Sequence, residues 1–149
     1  VRTLLTTRDG RLWAGTTARG VQILGADGQR VATLLAGPNG LTDNLITALH
    51  EDRQGRVWIG SIAGLNRVDP DGTVHRWRRD PAMSGTLPGH GVRTLFESRQ
   101  GELWLGTFAG LARVIESGAG VRFERVPARE QALDDTIYGI LEDAAGWFW

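Results

Sequence analysis

Cysteine and lysine are absent from these 149 residues, and methionine and tyrosine occur once each. Without cysteine the chain forms neither a disulfide nor a thiolate metal site, and its redox compartment stays open. The 17 basic residues, all arginine, are balanced by 17 acidic residues, which provides no basic face for nucleic-acid binding. No apolar run approaches the ~18 residues of a membrane-spanning helix, so we expect no membrane contact by this segment.

Glycine and tryptophan, by contrast, are frequent and follow a fixed period. The segment Gly101-Glu102-Leu103-Trp104-Leu105-Gly106-Thr107 has close copies at residues 55–61 and 10–16 and begins again at Gly146. The motif tryptophans are Trp13, Trp58, Trp104 and Trp149, which lie 45, 46 and 45 residues apart. A fixed period of this length is the signature of a repeat architecture.

Each repeat contains four short apolar segments that are bounded by Gly and Asp and are typical of strands. The predicted strands are 1–5, 46–50, 92–96 and 137–141 (first), 12–14, 57–59 and 103–105 (second), 20–24, 64–68 and 110–114 (third), and 29–35, 73–78 and 121–126 (fourth). The first two strands are apolar on both faces, so both faces are expected to be covered. Four-stranded antiparallel blades of about 45 residues predict an all-β chain that is a β-propeller fragment. A β-sandwich, the rival all-β fold, would not copy itself at this period.

The period divides the chain into blades at 1–45, 46–91 and 92–136, with the first strands of a fourth blade at 137–149. Propellers generally close with four to eight blades. We therefore expect either an excerpt of one larger propeller domain, whose remaining blades would be partners of these, or a ring that is closed by several copies. The excerpt is favoured because Trp149 stands midway through a motif. An open arc exposes apolar blade faces, so the isolated chain is expected to self-associate.

The Asp, Trp and Gly positions that recur in the repeat are interpreted as structural. Asp52 and Gly55, like Asp143 and Gly146, are expected to form a tight turn and not a metal or catalytic site, because Thr7 and Ser98 take the Asp position in the other repeats. The motif tryptophans are interpreted as packing between blades and not as a stacking surface. A close backbone approach or a bulge is predicted at the glycine after each of them, at Gly15, Gly60 and Gly106.

The segment from Asn39 to Gly60, continuing into Gly64–Val68, resembles the two-component regulator propeller repeat. Trp is followed here by an aliphatic residue and Gly, whereas WD40 blades have Asp after Trp. The Gly-Gly pair of kelch blades is absent. The spacing from Asp to Gly also differs from that of the sialidase Asp-box. The resemblance implies a periplasmic sensor propeller, usually seven-bladed, that often binds glycans and needs no cofactor. In that family a histidine kinase or diguanylate cyclase output lies elsewhere in the receptor.

Ligand contacts are expected in loops, because a rigid frame with variable loops is how binding sites are usually carried. The strand order places the loops between second and third strands on one rim, together with the long segments that link the blades. The candidate ligand-binding residues on this rim are Arg19, Ile62, Phe108, Asp43, Asn44, His90, Asp134 and Asp135.

Two other functional classes remain open from the sequence. A protein-interaction scaffold would use the same fold without a small ligand. A propeller lyase or glycosidase would need residues from blades outside this chain, since His50, His75 and His90 match no metal-ligand spacing and Tyr138 is expected in a strand. We therefore predict no catalytic residue and no metal site in this segment.

Overall fold

The computed structural model of the chain describes residues 1–127 and 136–149, and all of its regular structure is β-strand. Twelve strands form three four-stranded antiparallel sheets, and the order within each sheet is the order along the chain. We call the sheets blades 1 to 3. This arrangement confirms the predicted all-β propeller fragment.

The strand bounds follow the predicted segments closely. Blade 1 contains β1 (Thr3–Thr6), β2 (Leu12–Gly15), β3 (Val21–Leu24) and β4 (Arg30–Leu34). Blade 2 contains β5 (Ile46–Glu51), β6 (Val57–Ser61), β7 (Gly64–Val68) and β8 (Val74–Trp77). Blade 3 contains β9 (Val92–Glu97), β10 (Leu103–Thr107), β11 (Gly110–Ser117) and β12 (Gly120–Arg125).

The first strand of each blade lies on the inside of the arc, where β5 packs against β1 on one side and β9 on the other. The glycines after the motif tryptophans allow this approach. A Cβ on Gly15 would lie 2.7 Å from Ile46 Cγ2, and one on Gly60 would lie 2.9 Å from the carbonyl oxygen of Val92. Both contacts are made with the first strand of the next blade. The predicted close approach is confirmed.

Two apolar layers fill the spaces between the blades. Trp13 of blade 1 is buried against Ile46, Val57 and Ile59 of blade 2. Trp58, which is fully buried, packs in the same way against Leu103, Val114 and Phe123 of blade 3. Trp13 and Trp58 thus each face the following blade, as expected for tryptophans that pack between blades.

The turn before Trp58 is held by Asp52. Its Oδ1 accepts the backbone N–H groups of Gln54 and Arg56, and its Oδ2 accepts the indole N–H of Trp58 at 2.8 Å and Nε of Arg56 at 2.7 Å. Burial by itself would raise the pKa of Asp52, but the bonds from Trp58 and Arg56 outweigh burial and hold this pKa below its ordinary value. The carboxylate therefore holds the predicted turn and orients the indole of Trp58.

The hydroxyls that replace Asp52 in the other blades make only part of this pattern. Ser98 Oγ accepts the backbone N–H of Glu102, and Thr7 Oγ1 donates to Asp9. Neither hydroxyl reaches the tryptophan of its own blade. The indole N–H groups of Trp13 and Trp104 are consequently buried without a hydrogen-bond partner in the described residues.

Arginines at the same place in successive blades join the turns to one another. Arg8 donates to the backbone carbonyls of Asp52 and Arg53, and Arg53 donates in turn to those of Ser98 and Arg99. The sequence analysis did not identify this contact, although the arginines recur at the repeat spacing. The series adds polar contacts between blades at the rim opposite the linking segments.

The start of a fourth repeat is visible in residues 136–149. Asp143 accepts the backbone N–H of Trp147 and the indole N–H of Trp149, as Asp52 does in blade 2. Residues 137–141 form no strand, contrary to the predicted one, and only Glu142 and Phe148 make a β-bridge. In blade 2 the equivalent strand pairs along residues 57–61, whereas here the pairing is limited to this single bridge.

Candidate ligand-binding rim

The loops between second and third strands meet the segments that link the blades on one rim of the arc, which we call the loop rim. Gly20 N donates to Asn44 O at 3.0 Å, Ile62 N to Leu45 O at 3.3 Å, and Phe108 N to Gly91 O at 3.3 Å. The first-to-second and third-to-fourth turns lie at the other ends of the strands, and we call that side the turn rim. The two rims are arranged as the strand order predicts.

A hydroxyl at the end of each second strand shapes the loop that follows. Thr107 Oγ1 donates to Gly110 O at 2.7 Å and accepts the backbone N–H of Ala109. Ser61 Oγ makes the same two contacts in blade 2. Because the hydroxyl closes the loop from inside, the residue after it points outward. Ile62 and Phe108 are accordingly 40% and 36% exposed.

Three of the candidate residues lie where blade 1 meets blade 2. Asn44 Oδ1 accepts the backbone N–H of Ala36, and Asp43 Oδ1 accepts that of Leu45. These side chains therefore shape the linking segment. Arg19 is exposed in the neighbouring loop, where it lines an open cleft with Gln22.

A second group lies where blade 2 meets blade 3. Gly91 separates Ile62 from Phe108 so closely that a Cβ there would lie 2.5 Å from Ile62 O and 2.7 Å from Phe108 Cε2. His90, the preceding residue, has its Nε2 at 3.4 Å from Nη1 of Arg79. The structure thus brings Ile62, Phe108 and His90 together. The candidates Asp134 and Asp135 lie outside the described residues.

Two residues that the sequence analysis did not select complete this second group. The guanidinium of Arg93 lies over two aromatic rings, 4.1 Å from the ring centre of Tyr138 and 5.6 Å from that of Phe108. Tyr138 is 72% exposed and lies outside any strand, contrary to expectation. Within residues 1–127 and 136–149, Arg93 makes no ion pair or hydrogen bond.

A signal for these residues was present in the repeat itself. The second residue of the first strand changes from blade to blade, as Arg2, Thr47, Arg93 and Tyr138, while the apolar residue before it is kept. The same reasoning that selected Ile62 and Phe108 in the variable loops applies to this position. Because this position lies within a predicted strand, the sequence pattern does not mark it as part of a loop.

The part of the chain that the structure describes contains no group of three or more His, Asp or Glu side chains that could hold a metal ion. Nor does that part contain a helix that is long and apolar enough to cross a membrane. His50 and His75 pair through Nε2 with Glu97 and Asp69, at 3.2 and 2.8 Å. Neither pair includes a hydroxyl group.

Residues 40–63 and 86–109 match the model of the two component regulator propeller family. These two segments are similar to the two-component regulator propeller repeat. Each matched segment runs from the end of a linking segment through the first and second strands to the loop that carries Ile62 or Phe108. A comparison with curated protein sequences gives no match.

Solved structures share the fold of these propeller repeats. The extracellular domain described as that of the hybrid two-component system BT3049 of B. thetaiotaomicron superposes with a TM-score of 0.77 at 24% identity, over 100% of this chain and 20% of that one. The corresponding BT4673 domain gives 0.70 at 19% identity, over 99% and 20%.

A virginiamycin B lyase from Staphylococcus aureus also superposes, with a TM-score of 0.67 at 17% identity over 98% of this chain and 46% of the enzyme. The chain therefore spans about a fifth of the two-component domains and less than half of the lyase. At these identities the likeness establishes the propeller fold.

Proposed function

We propose that this chain is part of a non-catalytic, ligand-sensing propeller in a bacterial signal-transduction receptor. The repeats at 40–63 and 86–109 support this assignment, as does the likeness to extracellular domains described as parts of two-component systems. The propeller would lie in the periplasm and would act on a histidine kinase or diguanylate cyclase output outside this chain.

The observation that carries the proposal is the position of Arg93 between Phe108 and Tyr138. A guanidinium without an anionic partner among the described residues is available to bind a carboxylate or sulfate. The exposed ring of Tyr138 offers an apolar face on which a sugar ring can pack. This combination is suited to an acidic saccharide, which carries both a charged group and apolar C–H faces.

The surrounding charges favour the same ligand. Arg79 and His90 lie side by side on the loop rim, next to the loop that holds Phe108. Asp43, a carboxylate of that rim, is already bound to the backbone N–H of Leu45. An anionic ligand would therefore meet the guanidinium of Arg79, which forms no ion pair with the described acidic residues.

The lyase likeness raises an enzyme as the alternative. In the described residues, the histidines contact Glu97, Asp69 and Arg79 and not a Ser or Thr hydroxyl. Acyl transfer or elimination needs a positioned base next to a reacting group. The observed pairs instead join neighbouring strands or loops, which favours sensing over catalysis.

The proposal is tested by isothermal titration calorimetry of the chain with tetragalacturonate, and with the neutral maltotetraose for comparison. We expect the acidic saccharide to bind more tightly. Arg93→Met keeps the aliphatic stem but removes the charge, so it should weaken binding of tetragalacturonate by about tenfold or more, because a charged hydrogen bond contributes about 1.5–3 kcal/mol.

Arg2→Met is the matched control, because Arg2 takes the same position in blade 1 and is exposed. It should leave the affinity unchanged. Equal binding of tetragalacturonate by the Arg93→Met variant, or no binding of the acidic saccharide by the unaltered chain, would contradict the proposed function.

A further inference from the structure

A cleft of about 570 Å³ lies between blades 1 and 2 and opens on the turn rim, away from Arg93 and the loop rim. Blade 1 forms one wall and blade 2 forms the other. The apolar residues that line the cleft are Trp13, Ile23, Ala32, Leu34, Val57 and Val68. Its volume is in the range of small-molecule sites.

The equivalent space between blades 2 and 3 contains the ring of Trp77. This indole stacks on Trp58 with ring centres 5.6 Å apart and an angle of 23° between the planes. The Trp77 ring also lies edge-to-face with that of Phe123 of blade 3, with ring centres 6.1 Å apart. An aromatic ring is therefore the group that fills this position in the neighbouring interface.

Strand register identifies the residue that replaces Trp77 in blade 1. Trp77 pairs with Leu65, and Leu34 pairs with Val21. Leu65 and Val21 both follow the glycine that precedes or opens the third strand. Leu34 therefore stands at the position of Trp77, and its smaller side chain leaves the ring's place unfilled.

The side chain on the blade 2 side of this interface is also smaller than its counterpart in blade 3. Phe123 pairs with Val114 in blade 3, whereas the equivalent residue in blade 2, which pairs with Val68, is Val74. The cleft thus arises where an aromatic pair, Trp77 and Phe123, is replaced by two aliphatic side chains. This comparison within one molecule accounts for the shape of the cleft.

The polar cover of the ring is missing as well. Arg67 lies over both Trp58 and Trp77, at 5.4 and 5.6 Å from the ring centres, and Ile23 takes its place in blade 1. Trp13 is only 6% exposed, and its indole N–H has no hydrogen-bond partner among the described residues. The interface between blades 1 and 2 therefore lacks the two aromatic rings and the arginine that fill the interface between blades 2 and 3.

We propose that the cleft between blades 1 and 2 binds a small, flat aromatic molecule. The ring of the ligand takes the place that the Trp77 indole occupies in the next interface and stacks on Trp13. Offset stacking on an indole and burial against Ile23, Val57 and Val68 supply the attraction. The ligand class follows from the side chain that fills the equivalent space.

Indole is the probe for this site, because it is the Trp77 side chain without its backbone. Calorimetric titration of the chain is expected to show one saturable site for indole. Leu34→Trp restores the intramolecular ring, so it should weaken indole binding at least tenfold. Trp77→Leu should empty the second interface and raise the stoichiometry from one indole to two.

Leu35→Trp is the matched control, since Leu35 is 50% exposed and does not line the cleft. It adds the same ring next to Leu34 and should leave indole binding unchanged. Circular dichroism establishes that each variant is folded. Absence of saturable binding to the unaltered chain, equal binding by Leu34→Trp, or a single site in a folded Trp77→Leu variant would overturn the proposal.

Discussion

At the scale of residues, the side chain of Asp52 provides hydrogen bonds in blade 2 that blades 1 and 3 lack. It accepts two backbone N–H groups, one indole N–H and one guanidinium, which together fix the turn and the orientation of Trp58. The sequence predicted the turn, because Asp and Gly are turn residues with a known mechanism. It did not predict the indole bond, because the bond depends on where Trp58 packs.

A graft of the blade 2 turn onto blade 1 tests this role. The double variant Thr7→Asp/Asp9→Gln converts residues 7–11 into the sequence of residues 52–56. The new carboxylate should accept the orphan N–H of Trp13 and pair with Arg11, as Asp52 pairs with Arg56. We expect the free energy of unfolding to rise by about 1–3 kcal/mol, measured by urea denaturation.

Asp9→Gln alone is the control for this graft, because it removes the carboxylate of residue 9 as the double variant does without adding an acceptor for Trp13. Because Asp9 accepts bonds from Thr7 and Arg11, this control should lower the free energy of unfolding by about 0.5–1.5 kcal/mol. A double variant that is no more stable than this control would show that Trp13 does not use the carboxylate as Trp58 does.

At the scale of elements, the blades were predictable because each strand is short, bounded by Gly or Asp, and repeated at one period. The predicted strand at 137–141 is not formed in the described residues, where only Glu142 and Phe148 make a β-bridge, because a strand depends on pairing as well as on local sequence. The hydrogen bonds from Arg8 and Arg53 to the backbone of the next turn were not predicted for a related reason. Contacts between repeats depend on how blades stack, which local sequence does not encode.

The close approach of first strands gives a prediction at this scale. Gly60→Ala places a methyl group 2.9 Å from Val92 O and 3.2 Å from Val92 Cγ1. Since both atoms belong to a packed neighbouring strand, the blades must move apart. We expect a loss of about 1–3 kcal/mol in the free energy of unfolding, measured by urea denaturation.

Gly118→Ala serves as the comparison, because a Cβ there meets nothing within 4 Å. Its free energy of unfolding should stay within about 0.5 kcal/mol of the unaltered chain. If Gly60→Ala were equally mild, the close packing of β6 against β9 would not contribute to stability as argued.

At the scale of the whole molecule, the three blades form an open arc with apolar side chains exposed on both of its end faces. Leu4 on blade 1 is 61% exposed, and Trp147 and Trp149 after blade 3 are 69% and 76% exposed. Exposed apolar surface of this kind normally marks an interface.

The isolated chain should therefore self-associate at tens of micromolar, as measured by sedimentation velocity. Trp147→Glu/Trp149→Glu should reduce the association, because it places two charges on the exposed face. A single sharp monomer boundary for the unaltered chain at these concentrations would contradict the open-arc account.

The candidate site was only partly predictable at this scale. The variable loop residues Ile62 and Phe108 followed from the repeat, because variation against a constant frame is visible in one sequence. The position of Arg93 between Phe108 and Tyr138 was not visible, because it joins a strand, a loop and the start of the fourth repeat. Such a site exists only once the blades are assembled.

The most direct test of the central claim, that tryptophans hold the blades together and the loop rim binds the ligand, is an NMR titration with tetragalacturonate. We predict shifts at the amides of Ile62, Arg93 and Phe108 and none at the indole N–H of Trp58. Shifts at the Trp58 indole with an unperturbed loop rim would contradict the account.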